Sequence, residues 1–266
     1  TTSQGSTTAS LETVAPATPK KSTIDLMTWP IMTLDESAAF TTDNYIGASY
    51  KFDSGTKVAI RQLFHTTESC TNKTIMGDTY LEASRGGVEL PFGGLTLTSI
   101  GRLYLPTGRD SIDRGQIAQM RGYFGVSKLV TTPFTISYYA NPRMFLQSRD
   151  VVVLADGSAK ATPDYKFIQW VDFTYDINSW LTLEMSVAQV NEWARSDSSL
   201  GVGRNRAESA ELITSVYVKP MTNLIIQTFL DQIHYTNRGG APKGILPVSL
   251  FNKAETTLNM IIDYKI

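Results

Sequence analysis

Apolar and polar residues alternate along most of this chain, with a period of two. Over 44–52, Ile46, Ala48, Tyr50 and Phe52 share one face. After 53–55 the pattern resumes, with Val58, Ile60 and Phe64 opposite Lys57, Ala59 and Arg61. Over 93–105, Leu95, Leu97, Leu103 and Leu105 stand against Thr96, Thr98 and Arg102, and 133–140 offers Phe134, Ile136, Tyr138 and Ala140. Over 164–176, Tyr165, Phe167, Val171, Phe173 and Tyr175 oppose Lys166, Asp172 and Thr174. Leu181, Leu183, Met185 and Val187 then oppose Thr182, Glu184 and Ser186, and Leu212, Val216 and Val218 oppose Glu211, Ser215 and Lys219. A strand with one apolar and one polar environment gives this alternation. Helical periodicity is confined to 110–120 and 191–199, each with room for one turn.

The connections alternate too. Short ones fall at 53–55, 131–133, 177–179 and 220–223, with a medium turn at 86–94. Long ones fall at 66–78, 105–116, 147–163, 193–208 and 237–254. That rhythm predicts up-and-down hairpins with one tidy end and one elaborate end. Strands of about 9–11 residues with short turns and long loops are those of outer-membrane barrels. Hydrocarbon cannot satisfy an open edge, so the sheet must close. The expected fold is all-β, a transmembrane antiparallel up-and-down β-barrel of about twelve strands, with ten and fourteen as the neighbouring even counts. The first strand is assigned to 23–34, where Ile24, Leu26, Met32 and Leu34 share a face and Pro30 withholds a ladder donor. Residues 1–23, rich in Thr, Ser, Ala and Pro, are expected to form a flexible periplasmic tail, leaving 24–266 as the barrel.

The last segment is the most regular. Leu258, Met260, Ile262, Tyr264 and Ile266 alternate with Thr257, Asn259, Ile261, Asp263 and Lys265. A final strand is no loose end if it pairs with the first. These five apolar positions resemble the C-terminal assembly signal of outer-membrane β-barrels, departing from it at Ile266, where Phe is usual. Residues 103–111, "LYLPTGRDS", resemble a strand-to-loop segment of several porin-like families. The chain as a whole is similar to porin-like major outer-membrane proteins of predatory bacteria such as Bdellovibrio. The resemblance implies an outer-membrane location with both termini periplasmic, and it implies contact with outer-membrane lipids and with the barrel-assembly machinery during biogenesis.

Composition narrows the chemistry. Among 266 residues, 24 Lys and Arg balance 25 Asp and Glu, which excludes a basic footprint for nucleic acid. The single cysteine, Cys70, has no partner for an intrachain disulfide. The two histidines, His65 and His234, end separate strands at the elaborate rim, and no nucleophile–base spacing or metal-ligand spacing accompanies them. No enzyme, metal or cofactor is expected.

The polar face is where function is expected. Lys57, Arg61, Arg102, Lys166, Asp172, Glu184, Glu211 and Asp231 are the candidate lumen-lining residues, because charged rings tune ion passage. Ile100, Tyr104, Ile168, Trp170, Tyr217 and Phe229 share that face, and twelve strands leave limited space, so a narrow lumen is expected. The expected function is porin-like passive passage of ions or small solutes. The alternative is a structural, oligomeric outer-membrane protein with a blocked lumen. Residues 223–236 are apolar on both faces and 244–251 is an apolar loop, which makes Leu224, Ile226, Leu230, Leu246 and Leu250 the candidate contacts of a homo-oligomer.

Overall fold

A computed structural model of the chain describes residues 21–34, 40–67, 73–153, 159–195, 206–238 and 256–266. Twelve long strands alternate direction. They are β1 (Ser22–Thr33), β2 (Phe40–Lys51), β3 (Thr56–Thr67), β4 (Lys73–Glu89), β5 (Leu95–Leu105), β6 (Gln116–Thr131), β7 (Phe134–Gln147), β10 (Pro163–Asp176), β11 (Leu181–Ala194), β12 (Arg206–Met221), β13 (Leu224–Arg238) and β14 (Thr256–Lys265). Between β7 and β10 a two-stranded sheet is formed by β8 (Val151–Val153) and β9 (Ala159–Ala161). A one-turn helix, α1 (Arg109–Asp113), follows β5. Each long strand pairs with its neighbours in sequence, and β14 returns to β1, giving a closed twelve-stranded antiparallel barrel. This is the transmembrane up-and-down fold expected from the alternation.

The seam between first and last strands is continuous. Ile24 and Ile266 exchange backbone hydrogen bonds of 3.2 and 3.0 Å at one end, and the Leu34 N–H donates to the Thr256 carbonyl at 3.1 Å at the other. Pro30 is accommodated within it. The β1–β14 ladder passes from Thr28 opposite Ile262 to Ile31 opposite Asn259 without a register change, so the missing N–H costs a rung and nothing more.

Several boundaries differ from those expected. β1 begins at Ser22, inside the stretch assigned to the tail, and residues 1–20 lie outside the described residues. The ladder between β3 and β4 runs on to Thr67 and Lys73, shortening the loop placed at 66–78. A shift between Gln62 and Phe64 makes this possible, because β4 carries one extra residue at a bulge. Residues 86–89 belong to β4 and 191–194 to β11, not to a turn and a helix. The helical turn in the loop after β5 is present, and Asp78 holds that loop by accepting from the Gly108 N–H at 3.0 Å and the Ser111 hydroxyl at 2.6 Å.

The outward face is an apolar belt. Tyr50 and Phe52 meet edge to face at 5.0 Å near the short-turn end, where Tyr175 and Tyr264 are also exposed. Tyr165 and Trp193 meet at 5.4 Å near the other end. Such girdles mark the two water interfaces. Within the belt lies one polar row. The Tyr138 hydroxyl donates to Gln169 Oε1 at 2.9 Å, and Gln169 Nε2 donates to Gln189 Oε1 at 2.8 Å. Gln169 stands directly between Ala140 and Gln189, and Gln189 faces Ala210 on its other side.

Candidate functional site

The inward face of the barrel separates charge by sector. Lys57 and Arg61 come from β3, Arg102 from β5, Arg121 from β6, Arg143 from β7 and Lys166 from the loop-side half of β10. Asp172 on the turn-side half of β10, Glu184 on β11, Glu211 on β12, Asp231 on β13 and Asp263 on β14 form a second, acidic sector that adjoins the first. Alternation puts each of them on the same face of its strand as buried neighbours such as Tyr104, Tyr139, Ala188 and Phe229.

The basic sector is internally organised. Arg61 donates to Asp25 at 3.0 Å and to Glu82 at 2.7 Å, and Glu82 also accepts from Arg102 Nε at 2.7 Å. Lys57 reaches Asp25 at 3.2 Å. Tyrosine rings sandwich these cations. Tyr80 and Tyr104 stack at 4.8 Å, Arg102 lies 5.2 Å from the Tyr80 ring centre and 4.9 Å from that of Tyr123, and Arg121 lies 4.0 Å from that of Tyr104. Ring faces attract guanidinium charge, so these contacts hold the arginines in one arrangement. Room for Arg61 is made by Gly47 directly opposite, where a Cβ would lie 2.6 Å from the Ile60 carbonyl oxygen.

The acidic sector is built differently. Asp172 is 0% exposed, Glu211 3%, Asp231 4% and Glu184 6%. Glu184 accepts from the Tyr217 hydroxyl at 2.8 Å, which in turn accepts from Gln227 at 2.8 Å, and Asp172 accepts from the Trp170 indole at 3.1 Å. Asp172 Oδ1, Glu184 Oε2, Asp231 Oδ1 and Asp263 Oδ1 have no hydrogen-bond partner among the described residues. No salt bridge reaches Asp172, Glu184, Glu211 or Asp231 among the described residues.

Every residue proposed from sequence for the lumen therefore sits on the inward face. The structure adds Asp25, Glu82, Arg121 and Arg143 to that face. Extending the alternation of β7 past Ala140 puts Asn141 and Arg143 on the inward face, and β6 gives Arg121 in the same way. Of the bulky inward residues, Tyr104, Ile168, Tyr217 and Phe229 are buried, while Ile100 and Trp170 are half-buried. Leu258, Met260, Ile262, Tyr264 and Ile266 share the outward face of the last segment, and Leu224, Ile226 and Leu230 that of β13. Cys70, Leu246 and Leu250 lie outside the described residues.

The two histidines stand on separate strands with different surroundings. His65 Nδ1 is 2.6 Å from Asp43 Oδ1 near the long-loop rim, with its ring against Gly77. His234 stands on another strand, opposite Ala210, on the outward face. No cluster of three metal-binding side chains occurs among the described residues.

A closed twelve-stranded barrel with an apolar belt, aromatic girdles and a charged interior defines a transmembrane β-barrel of the outer-membrane type. No family model and no curated protein matches the chain. Solved structures do. The COG4313 outer membrane channel from Pseudomonas putida F1 matches at a TM-score of 0.63 and 14% identity, over 95% of this chain and 100% of that one. The KdgM porin matches at 0.51 and 10% identity, over 91% and 98% of the two chains. The NanC porin matches at 0.51 and 10% identity, over 91% and 100%. At these identities the likeness is one of fold, and none of the three is named for a predatory bacterium.

Proposed function

We propose that this chain is an outer-membrane channel giving passive passage to ions or small solutes through a narrow lumen. The observation that carries this reading is the uneven charge of the inward face: six cations with the paired carboxylates Asp25 and Glu82 lie on β1–β10, and Asp172, Glu184, Glu211 and Asp231, without salt bridges among the described residues, lie on β10–β13. A filled, closed interior is served better by pairing each charge with its opposite, since an unpaired buried carboxylate costs several kcal/mol. Walls of opposite charge suit a water-filled passage, where each wall orients ions. The fold shared with an outer membrane channel and two porins supports the same reading. In this setting the short-turn end, where β1 begins at Ser22 and the last strand runs out at Ile266, faces the periplasm with both termini, and the strand ending at Ile266 is the segment presented to the assembly machinery.

A second reading has an observation of its own. Tyr80, Tyr104, Asn141 and Asp172 are no more than 1% exposed, so water has little access to these inward side chains. A barrel blocked there would act through its outer surface instead. Planar-bilayer recording separates the two. A conducting barrel gives small unitary steps, and Asp231→Asn with Glu211→Gln moves its reversal potential toward anions. Folded, reconstituted barrels that stay silent favour the blocked reading.

The polar row Tyr138–Gln169–Gln189 supports association with a second copy. Carboxamides facing hydrocarbon lack water, and each carries both donor and acceptor, so two copies of the row can satisfy one another.

A further inference from the structure

Four inward side chains form a square on the turn-side half of β10 and β11. Asp172 stands directly opposite Ser186, and Thr174 directly opposite Glu184. Asp172 and Glu184 are therefore diagonal neighbours, about 7–8 Å apart along the backbone and within reach of one another at their side-chain ends. Their charges repel. All four residues are more than nine-tenths buried. Each carboxylate has one oxygen engaged by a neutral donor. The Trp170 indole, stacked on Tyr139 at 5.1 Å, donates to Asp172 Oδ2 at 3.1 Å, and the Tyr217 hydroxyl donates to Glu184 Oε1 at 2.8 Å. Trp170 lies on the loop side of Asp172 and Tyr217 lies on β12, so each donor stands on the flank away from the other carboxylate. The second oxygens, Asp172 Oδ1 and Glu184 Oε2, have no hydrogen-bond partner among the described residues, and neither has the Thr174 hydroxyl.

Two adjoining buried carboxylates are costly to fold, and neutral donors cannot cancel their charge. One divalent cation cancels both. The free donors are all oxygens, which hard cations take. Two carboxylates, their flanking hydroxyls and water can supply the roughly six to eight oxygens that calcium accepts in a flexible arrangement. We propose that Asp172, Glu184, Thr174 and Ser186 form a calcium site in the barrel wall. Trp170 and Tyr217 are positioning residues, each holding one oxygen of a carboxylate so that the other is presented to the ion. Magnesium fits less well, because it demands near-octahedral geometry and gives up its waters reluctantly. The site needs no open lumen, since the ion can enter as the barrel folds. Where the barrel conducts, bound calcium also offsets two negative charges of the acidic wall.

The test uses the full chain, refolded in detergent micelles free of lipopolysaccharide, with and without calcium. Calcium chloride is titrated calorimetrically, with magnesium chloride and sodium chloride of matched ionic strength as comparisons. One saturable calcium site per barrel is expected, with a dissociation constant of about 0.1–1 mM, as in extracellular calcium modules, and with weaker binding of magnesium. Calcium should raise the barrel's unfolding temperature, and a chelator should reverse the rise. Asp172→Asn with Glu184→Gln should abolish the site and the calcium-dependent rise. Without calcium that double variant should unfold no earlier than the parent, because it relieves the repulsion. Tyr217→Phe keeps all four ligands and should weaken calcium about tenfold. Absence of saturable binding by the parent overturns the proposal, and is the outcome expected of two carboxyls that share a proton instead. Undiminished binding by the double variant also overturns it, the ion then sitting on exposed carboxylates. Should the double variant fail to fold, Tyr217→Phe decides, and calcium affinity at the parent level counts against the site. Calcium binding by a barrel that carries no current would keep the site and remove the channel reading; conductance without calcium binding would do the reverse.

Discussion

Arg61 is the residue on which one side of the lumen turns. It bridges Asp25 and Glu82, which are 1% and 8% exposed, and lies 5.1 Å from the Tyr45 ring centre. Arg61→Met keeps the aliphatic stem and removes the charge, leaving Lys57 on Asp25 and Arg102 on Glu82. Removing one member of a buried ion network costs about 3–5 kcal/mol, and the remaining partners hold the loss to the lower part of that range. Urea unfolding of the barrel in lipid vesicles measures it, and a loss within experimental error would show that water enters and screens the network. Much at this scale was legible beforehand. Lys57, Arg61, Arg102, Lys166, Asp172, Glu184, Glu211 and Asp231 fall on the polar face of alternating segments, and alternation alone assigns a face. Which inward residues meet one another was not legible. Asp25 and Arg61 are 36 residues apart in sequence, and their meeting depends on register across three strands.

Among the elements, β14 carries the sharpest expectation. Its outward residues Leu258, Met260, Ile262 and Tyr264 lie beside β13 on one side and β1 on the other, with Met260 opposite Thr228 and Tyr264 opposite Leu26 and Leu224. Met260 is deeper in the belt than Tyr264. A charge on the lipid face costs about 2–4 kcal/mol at mid-depth and falls to about 0–1 near the interface. Met260→Arg should therefore abolish the compact, heat-modifiable band on a denaturing gel, while Tyr264→Asp reduces its yield and Ile266→Phe leaves it at parent level or above. Equal, normal assembly of both charge variants would mean that this face does not meet lipid. Strand number and order were readable because each strand repeats the same two-residue pattern and the short connections are unambiguous. Strand ends were not. The bulge between β3 and β4 adds a residue that alternation reads as a loss of pattern, so alternation overstates the loop there. Asn191–Ala194 looked helical because Asn, Glu, Trp and Ala together satisfy no strand pattern, yet pairing with β10 and β12 carries β11 through them.

For the whole molecule the remaining question is what covers the glutamine row. Lipid tails satisfy Leu224, Ile226 and Leu230 as well as another protein would, so those residues give little drive toward association. Gln169 and Gln189 differ. Gln169 has Val171, Phe173 and Tyr175 on the turn side and Phe167 and Tyr165 on the loop side of its outward face, so its carboxamide sits inside the belt rather than at a water interface. Gln189 uses its oxygen on Gln169, and its own amide nitrogen donates to nothing among the described residues. The alanines on either side, Ala140 and Ala210, leave space for a second barrel to approach. Two barrels in the same membrane orientation, related by an axis along the membrane normal, bring the row onto itself, the arrangement of an isologous pair. The expected outcome is a dimer in mild detergent by native mass measurement. Gln169→Leu with Gln189→Leu should weaken it by about 1 kcal/mol, roughly fivefold in dissociation constant, with the barrel still folded. Val187→Cys, outward and one step along β11 from Gln189, should cross-link to its own copy in a Cys70→Ser background, while Ile46→Cys on β2 should not. A parent that is monomeric at every protein concentration, or a dimer indifferent to the leucine substitutions, would mean that the row is covered by lipid polar groups or by nothing, and the association would be abandoned.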